Sequence, residues 1–304
     1  MKRREGGFTL IEAVLVLVLL GTLSVGLATF IGQATDHYVD TAERTRLLGE
    51  ARLALARMGR EVRGALPHSL RRAQSASGDT TCVEFLPVVD GGRYQDQGGT
   101  YSSGEGRRPL PVGGNGAPFH APGFSGVRVD GTATLGMAEL DAVGARHVAV
   151  YPVPPADDYI YAGNDEVALR DVGDPADFVG PGDPDVPVGV VEIPLAAGAS
   201  GFPRHAPVPR RFFLTEGPVS FCLGGGELLR YQGAGYTIQP NQPVPPDVEG
   251  RPLARNLGAG SELELEPTGL QRRGLLRVRL VLQRRDDASE VVEIEHAFAV
   301  DNRP

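Results

Sequence analysis

The sequence predicts an α+β protein: one long N-terminal helix packed on an antiparallel β-sheet head with long Gly/Pro-rich loops. Three observations carry this. An uncharged apolar run from Ala13 to Thr35 leads into an amphipathic stretch ending near Leu66. Downstream, short runs of alternating or apolar residues recur at strand length. Gly (41) and Pro (25) are abundant among 304 residues, above average usage, which implies many turns and long loops. The length admits one large domain or two modest ones. A net charge of -8 offers no general attraction for phosphates, so no nucleic-acid partner is expected.

The first element begins with Met1-Lys2-Arg3-Arg4-Glu5-Gly6-Gly7, after which Phe8-Thr9-Leu10-Ile11-Glu12 opens the apolar run. Roughly 20 apolar helical residues span the hydrocarbon core of a bilayer. The cationic cluster Lys2, Arg3 and Arg4 places the N-terminus on the cytoplasmic side and exports the remainder. An ordinary cleaved signal peptide has a shorter apolar region closed by small residues, and here the run merges into amphipathic sequence instead. Glu12 is costly in this position, because an acid at the centre of a membrane helix costs about 2.5–3.5 kcal/mol on insertion scales, and less near an end. A cut after Gly7 would create an amine on Phe8, four positions before Glu12, able to offset that charge in its own chain or a neighbour's. The alternative for Glu12 is a carboxylate at the interface, protonated or snorkelling.

The helix continues. Leu48, Ala51, Leu55, Met58 and Val62 fall at spacings of three and four, an apolar stripe among charged residues. Gly64 and Pro67 are stop signals. A helix from Phe8 to about Leu66 would be roughly 90 Å long, with its second half pressing the stripe onto a sheet.

Strand patterns occur at Cys82–Val89, Arg146–Val153, Val188–Ile193, Arg211–Leu214, Val219–Leu223, Glu227–Tyr231 and Glu262–Glu266. The clearest pair is Leu276–Leu282 and Val291–Phe298, with Asp286-Asp287-Ala288 available to turn between them. An antiparallel register placing Arg279 opposite Glu293 and Arg277 opposite Glu295 gathers the apolar residues on the other face. Exposed charge pairs contribute little, so the buried face must set the register.

Most motifs that would carry chemistry are absent. Acidic stretches at Asp90–Asp96, Asp157–Glu166 and Asp171–Asp185 could supply oxygens to Ca²⁺, but none has the twelve-residue loop pattern. Solvated turns are the expectation there, and no cofactor is expected. The six histidines (His37, His68, His120, His147, His205 and His296) lack metal-ligand spacing. Gly224-Gly225-Gly226 lacks the Lys-Ser/Thr of a phosphate loop, and there is no Gly-x-Ser-x-Gly elbow. No enzyme is expected.

Residues Gly6-Gly7-Phe8-Thr9-Leu10-Ile11-Glu12, behind a basic leader and ahead of a long apolar helix, resemble the class III signal of type IV prepilins and type II secretion pseudopilins. The resemblance covers about the first tenth of the chain. It implies cleavage between Gly7 and Phe8 by a prepilin peptidase, N-methylation of Phe8, and use of Glu12 in subunit assembly. It also implies a division into a leader (1–7), a transmembrane and assembly helix (8–35), an amphipathic helix continuing into the head (36–66) and a β-rich globular periplasmic domain (67–304). The implied location is the bacterial inner membrane, single-pass, and then a pilus or pseudopilus. Implied partners are the peptidase and other pilins or pseudopilins, met through N-terminal helices.

A second likeness is narrower. Cys82-Val83-Glu84-Phe85-Leu86-Pro87 and Arg211-Phe212-Phe213-Leu214, followed by Gly217-Pro218-Val219-Ser220-Phe221, look like the MshO-type minor pilins of the mannose-sensitive haemagglutinin (MSHA) pilus. Tyr38-Val39-Asp40-Thr41-Ala42 and the ending Val300-Asp301-Asn302-Arg303-Pro304 fit the same likeness. The function these imply is a minor pilin-like subunit. Alternatives are a minor pseudopilin of a type II secretion system, or a membrane-tethered adhesin with Tyr94, Tyr101, Tyr159 and Tyr161 on a sugar-binding face. Export to an oxidising compartment favours a Cys82–Cys222 disulfide, worth up to about 5 kcal/mol for so long a loop on the chain-entropy model. Two separate buried thiols are the alternative that spacing leaves open.

Overall fold

The computed structural model describes residues 9–102, 104–124, 128–129, 133–134, 147–152, 160–161, 169–172, 189–233, 235–266, 274–284 and 291–300. The expected turn at Asp286-Asp287-Ala288 and the ends of the Arg146–Val153 run lie outside them. The chain divides into two compact units, one ending at Gly49 and the other starting at Glu50. A 54-residue helix, α1, runs from Leu10 to Arg63. It starts two residues later than the expected Phe8, because Thr9 stands ahead of the first helical residue. It ends at the glycine stop, where the Gly64 amide bonds the Glu61 carbonyl at 3.0 Å in a tightened last turn.

The second unit is β-rich, and all its named strand pairs are antiparallel. Strands β1 (Arg71–Gln74), β2 (Thr81–Phe85) and β3 (Val88–Arg93) come first, followed by the short β4 (Gly99–Thr100), β5 (Gly106–Arg107) and β6 (Phe119–Pro122). Then come β7 (Arg128–Val129), β8 (Ala133–Thr134), β9 (His147–Val150), β10 (Leu169–Asp171) and β11 (Val190–Ile193). The last seven are β12 (Arg211–Thr215), β13 (Val219–Gly224), β14 (Glu227–Tyr231), β15 (Gly250–Ala254), β16 (Glu262–Glu266), β17 (Gly274–Gln283) and β18 (Val291–Val300). The sheets run β1-β2-β13-β14-β15, β10-β9-β12-β3 and β16-β17-β18, with the two-stranded pairs β11-β6, β4-β5 and β7-β8.

The run expected as one strand over Cys82–Val89 is two, because Pro87 lacks the N–H a ladder needs. Strand β2 pairs with β13 while β3 pairs with β12. The segment they pair with, β12 to β13, breaks between the same two sheets at Gly217-Pro218. Hairpin β13–β14 closes on Gly225 and Gly226, whose φ values of 60° and 75° suit a two-residue turn that other residues resist.

The β17–β18 hairpin forms, with a register two residues from the expected one. Arg279 faces Glu295, Arg277 faces Ala297 and Val281 faces Glu293. A two-residue slip keeps every side chain on its face, so the apolar pattern allows both registers. The observed one sets Leu276 against Phe298 and Leu282 against Val292. Arg279 still reaches Glu293 on the diagonal, Nε to Oε1 at 2.6 Å.

The apolar stripe of α1 is buried where it belongs to the second unit. Ala51, Met58 and Val62 are wholly covered, and Ala54 and Leu55 nearly so. The Phe298 ring lies so close to α1 that a Cβ on Gly59 would sit 2.4 Å from it. Glu61 ties the helix to β14, accepting from Arg230 Nε at 2.7 Å and from Arg57 Nε at 2.9 Å. A second core gathers Phe119, Phe202, Phe212 and Ile193 between the smaller sheets.

Candidate functional site

Thr9 forms the N-cap of α1. Its Oγ1 accepts the Glu12 amide at 3.4 Å and its carbonyl accepts the Ala13 amide at 3.2 Å. Thr9 and Glu12 thus hold the N-cap and N3 positions of a capping pattern, which the sequence displays as Thr-x-x-Glu before an apolar run but which a membrane-centred reading passes over. Glu12 lies in the first turn, exposed, where the positive end of the helix dipole favours a carboxylate. Gly7 and Phe8 lie outside the described residues.

From Leu10 to Ile31 the large apolar side chains are exposed; Leu10, Leu17 and Leu23 show 70% or more of their surface. This helix is long and apolar enough to cross a membrane. Its hydroxyls are satisfied internally. Ser24 Oγ donates to the Leu20 carbonyl at 2.6 Å, Thr35 Oγ1 to Ile31 at 2.8 Å, and Thr22 and Thr29 bond back in the same way. Such back-bonding leaves no hydroxyl unmatched in a medium without water.

In the second unit, Cys82 and Cys222 form a disulfide between directly opposed positions of β2 and β13. Beside it lies a buried polar network that strand patterns do not announce. Arg71 Nη2 bonds Glu84 Oε1 at 2.5 Å, the Tyr236 hydroxyl donates to Glu84 Oε2, and Ser220 Oγ lies 2.6 Å from Tyr236 Oη. Burial raises the Glu84 carboxyl above its ordinary value despite Arg71, and burial with the facing Glu84 raises the Tyr236 hydroxyl. A second buried group joins His120 Nε2 to Glu192 Oε2 at 3.4 Å, with Arg108 also on Glu192 and Tyr101 Oη 3.3 Å from His120 Nδ1. Burial holds His120 below its usual range. In the first group the buried polar atoms satisfy one another, whereas in the second His120 Nε2 makes no hydrogen bond and the Arg108 side chain is half exposed.

Of the tyrosines expected on a ligand face, Tyr101 is half-buried and stacked on His120. Tyr94 and Tyr161 are buried, with their hydroxyls bonded to the Ala206 amide and the Ser69 carbonyl, while Tyr159 lies outside the described residues. Of the acidic stretches, Asp96 is paired with Arg210 at 3.0 Å and Asp171 with His147 at 2.6 Å. Residues 157–159, 162–166 and 173–185 lie outside the described ones. Among the described residues no three His, Cys, Asp or Glu side chains gather as a metal site.

A family model described as the prokaryotic N-terminal methylation motif matches residues 2–28. No curated protein and no solved structure matches the chain. The matched segment contains the Thr9 cap, Glu12 and the first turns of the exposed apolar helix, and it supports a type IV pilin-like or pseudopilin protein.

Proposed function

We infer that this chain is a minor pilin-like subunit of a type IV, MSHA-like pilus. A prepilin peptidase cuts between Gly7 and Phe8, the new N-terminus is methylated, and the subunit assembles through α1. The observation that carries this reading is the methylation motif over residues 2–28 lying at the head of an exposed apolar helix. Before assembly the helix rests in the inner membrane with the head in the periplasm. In the fibre, neighbouring helices take the place of lipid, and Glu12 meets the amine of an adjacent Phe8. An ion pair in such surroundings is strong, because neither charge has water to turn to. The role is structural and not catalytic.

A pseudopilin of a type II secretion system shares the same N-terminal chemistry, and piliation separates the two. Gly7→Asp puts a charge at the cut site and is expected to leave the precursor uncut and the cell without this subunit in its pili. Normal processing and piliation of that variant would overturn the reading. Loss of processing with no change in piliation, but with loss of protein secretion, would move it to the secretion system.

A further inference from the structure

Among the described residues no strand pairs with the second edge of β18. Among them Val291–Val300 pairs with β17 alone, so alternate backbone N–H and C=O groups face outward along ten residues. Long edges are usually blunted by Pro, Lys or a bulge. Edge strand β15 carries Pro252, whereas β18 has no Pro.

The same strand is incompletely covered on its helix side. Phe298 packs at Gly59, but Ile294 is half-buried and His296 is exposed. Between α1 and β18 this leaves a groove of about 380 Å³ whose walls include Leu55, Ala56, Ile294 and Phe298. Arg52 and Arg63 also line it, both exposed, and among the described residues neither has an ion pair and no carboxylate lines the groove. The opposite face of β18 has the other sign: Glu293, bonded to Arg279, and Glu295.

We propose that β18 and this groove receive an extended strand from a different polypeptide. The incoming strand completes the backbone ladder and alternates two sets of side chains. One set, apolar with a carboxylate, enters the groove toward Arg52 and Arg63. The other set is cationic and lies beside Glu293 and Glu295. A second copy of this chain suits the site poorly. The opposite edge of the sheet, β16, reads Glu-Leu-Glu-Leu-Glu, and its glutamates share the face of Glu295 through Arg279 and Arg277. Joining β16 to β18 would set carboxylates against carboxylates, and joining two β18 strands would do the same.

The probe is a ten-residue peptide with Val and one central Glu at alternate positions and Arg and Thr between them. It is titrated against the full chain in detergent by fluorescence anisotropy. Binding is expected for this peptide and not for its scramble. Arg52→Glu with Arg63→Glu, both on exposed positions, should weaken binding about tenfold or more and favour a peptide carrying Lys in place of the central Glu. Equal binding of the scramble, no binding, or indifference to the double charge reversal would overturn the proposal. So would a homodimer, cross-linked through Ala297→Cys, that excludes the peptide. Binding at β18 does not require N-terminal processing, so this result and the processing result can fail separately.

Discussion

The two stretches of α1, residues 10–31 and 51–62, are both rich in apolar side chains and lie on one continuous helix. In the second, those side chains form a stripe that the β-rich unit covers: Ala51, Leu55, Met58 and Val62 are buried. In the first they face every direction and stay exposed. The difference shows what each stretch is built against. An apolar stripe with charged flanks needs one wall, which the chain itself provides. The apolar cylinder is covered by no described part of the chain, and its length and composition fit a membrane-spanning anchor.

The comparison predicts where mutations will register. The largest effect is expected from the disulfide that closes the β-rich unit. Replacing Cys82 and Cys222 by Ser should destabilise that unit by up to about 5 kcal/mol, read as a lower denaturation midpoint in detergent-solubilised protein. Next, Met58→Ala should cost about 3 kcal/mol through the cavity it leaves. Leu17→Ala, on the exposed stretch, should leave the same midpoint unchanged. Equal effects of the two would break the distinction between the stretches.

Glycines give a finer contrast. Gly59→Ala must displace the Phe298 ring and should destabilise by about 1–2 kcal/mol, despite alanine's better helix propensity. At Gly21 nothing lies within 4 Å of an added Cβ, so Gly21→Ala should cost the folded unit nothing.

The smallest effect is a slope with pH. Burial raises the folded carboxyl of Glu84 above its ordinary 4.5. The folded state therefore keeps this proton to higher pH than the unfolded chain does. The stability it contributes is complete below pH 4.5 and is lost as pH rises through the raised value. Glu84→Gln should flatten that segment of the stability–pH curve, measured by denaturant titration across the range.

Much of this architecture was readable from periodicity. The stripe at Ala51, Leu55, Met58 and Val62, and the strands at Arg211, Val219, Glu227 and Glu262, follow from apolar spacing and are found where expected. The hairpin register was not readable, because a two-residue slip preserves both faces and the charge pairs are too exposed to decide it. Short strands such as β1 (Arg-Arg-Ala-Gln) and β15 (Gly-Arg-Pro-Leu-Ala) carry no alternation strong enough to find. The network of Arg71, Glu84 and Tyr236 joins residues more than 150 positions apart, a distance over which sequence spacing holds no information. At the N-terminus the position was reversed: the chemistry of Gly7, Phe8 and Glu12 is local, so the motif stands in the sequence itself. The Thr9 cap stands in the same string as Thr-x-x-Glu, but a membrane-centred reading passes over it.

The most direct test is intact-mass and N-terminal peptide mass spectrometry of the protein purified from its native membrane or fibre. A mature chain beginning at N-methylated Phe8, with the apolar helix retained, is the predicted result. A chain that still begins at Met1, or one cut beyond the apolar stretch, would contradict it.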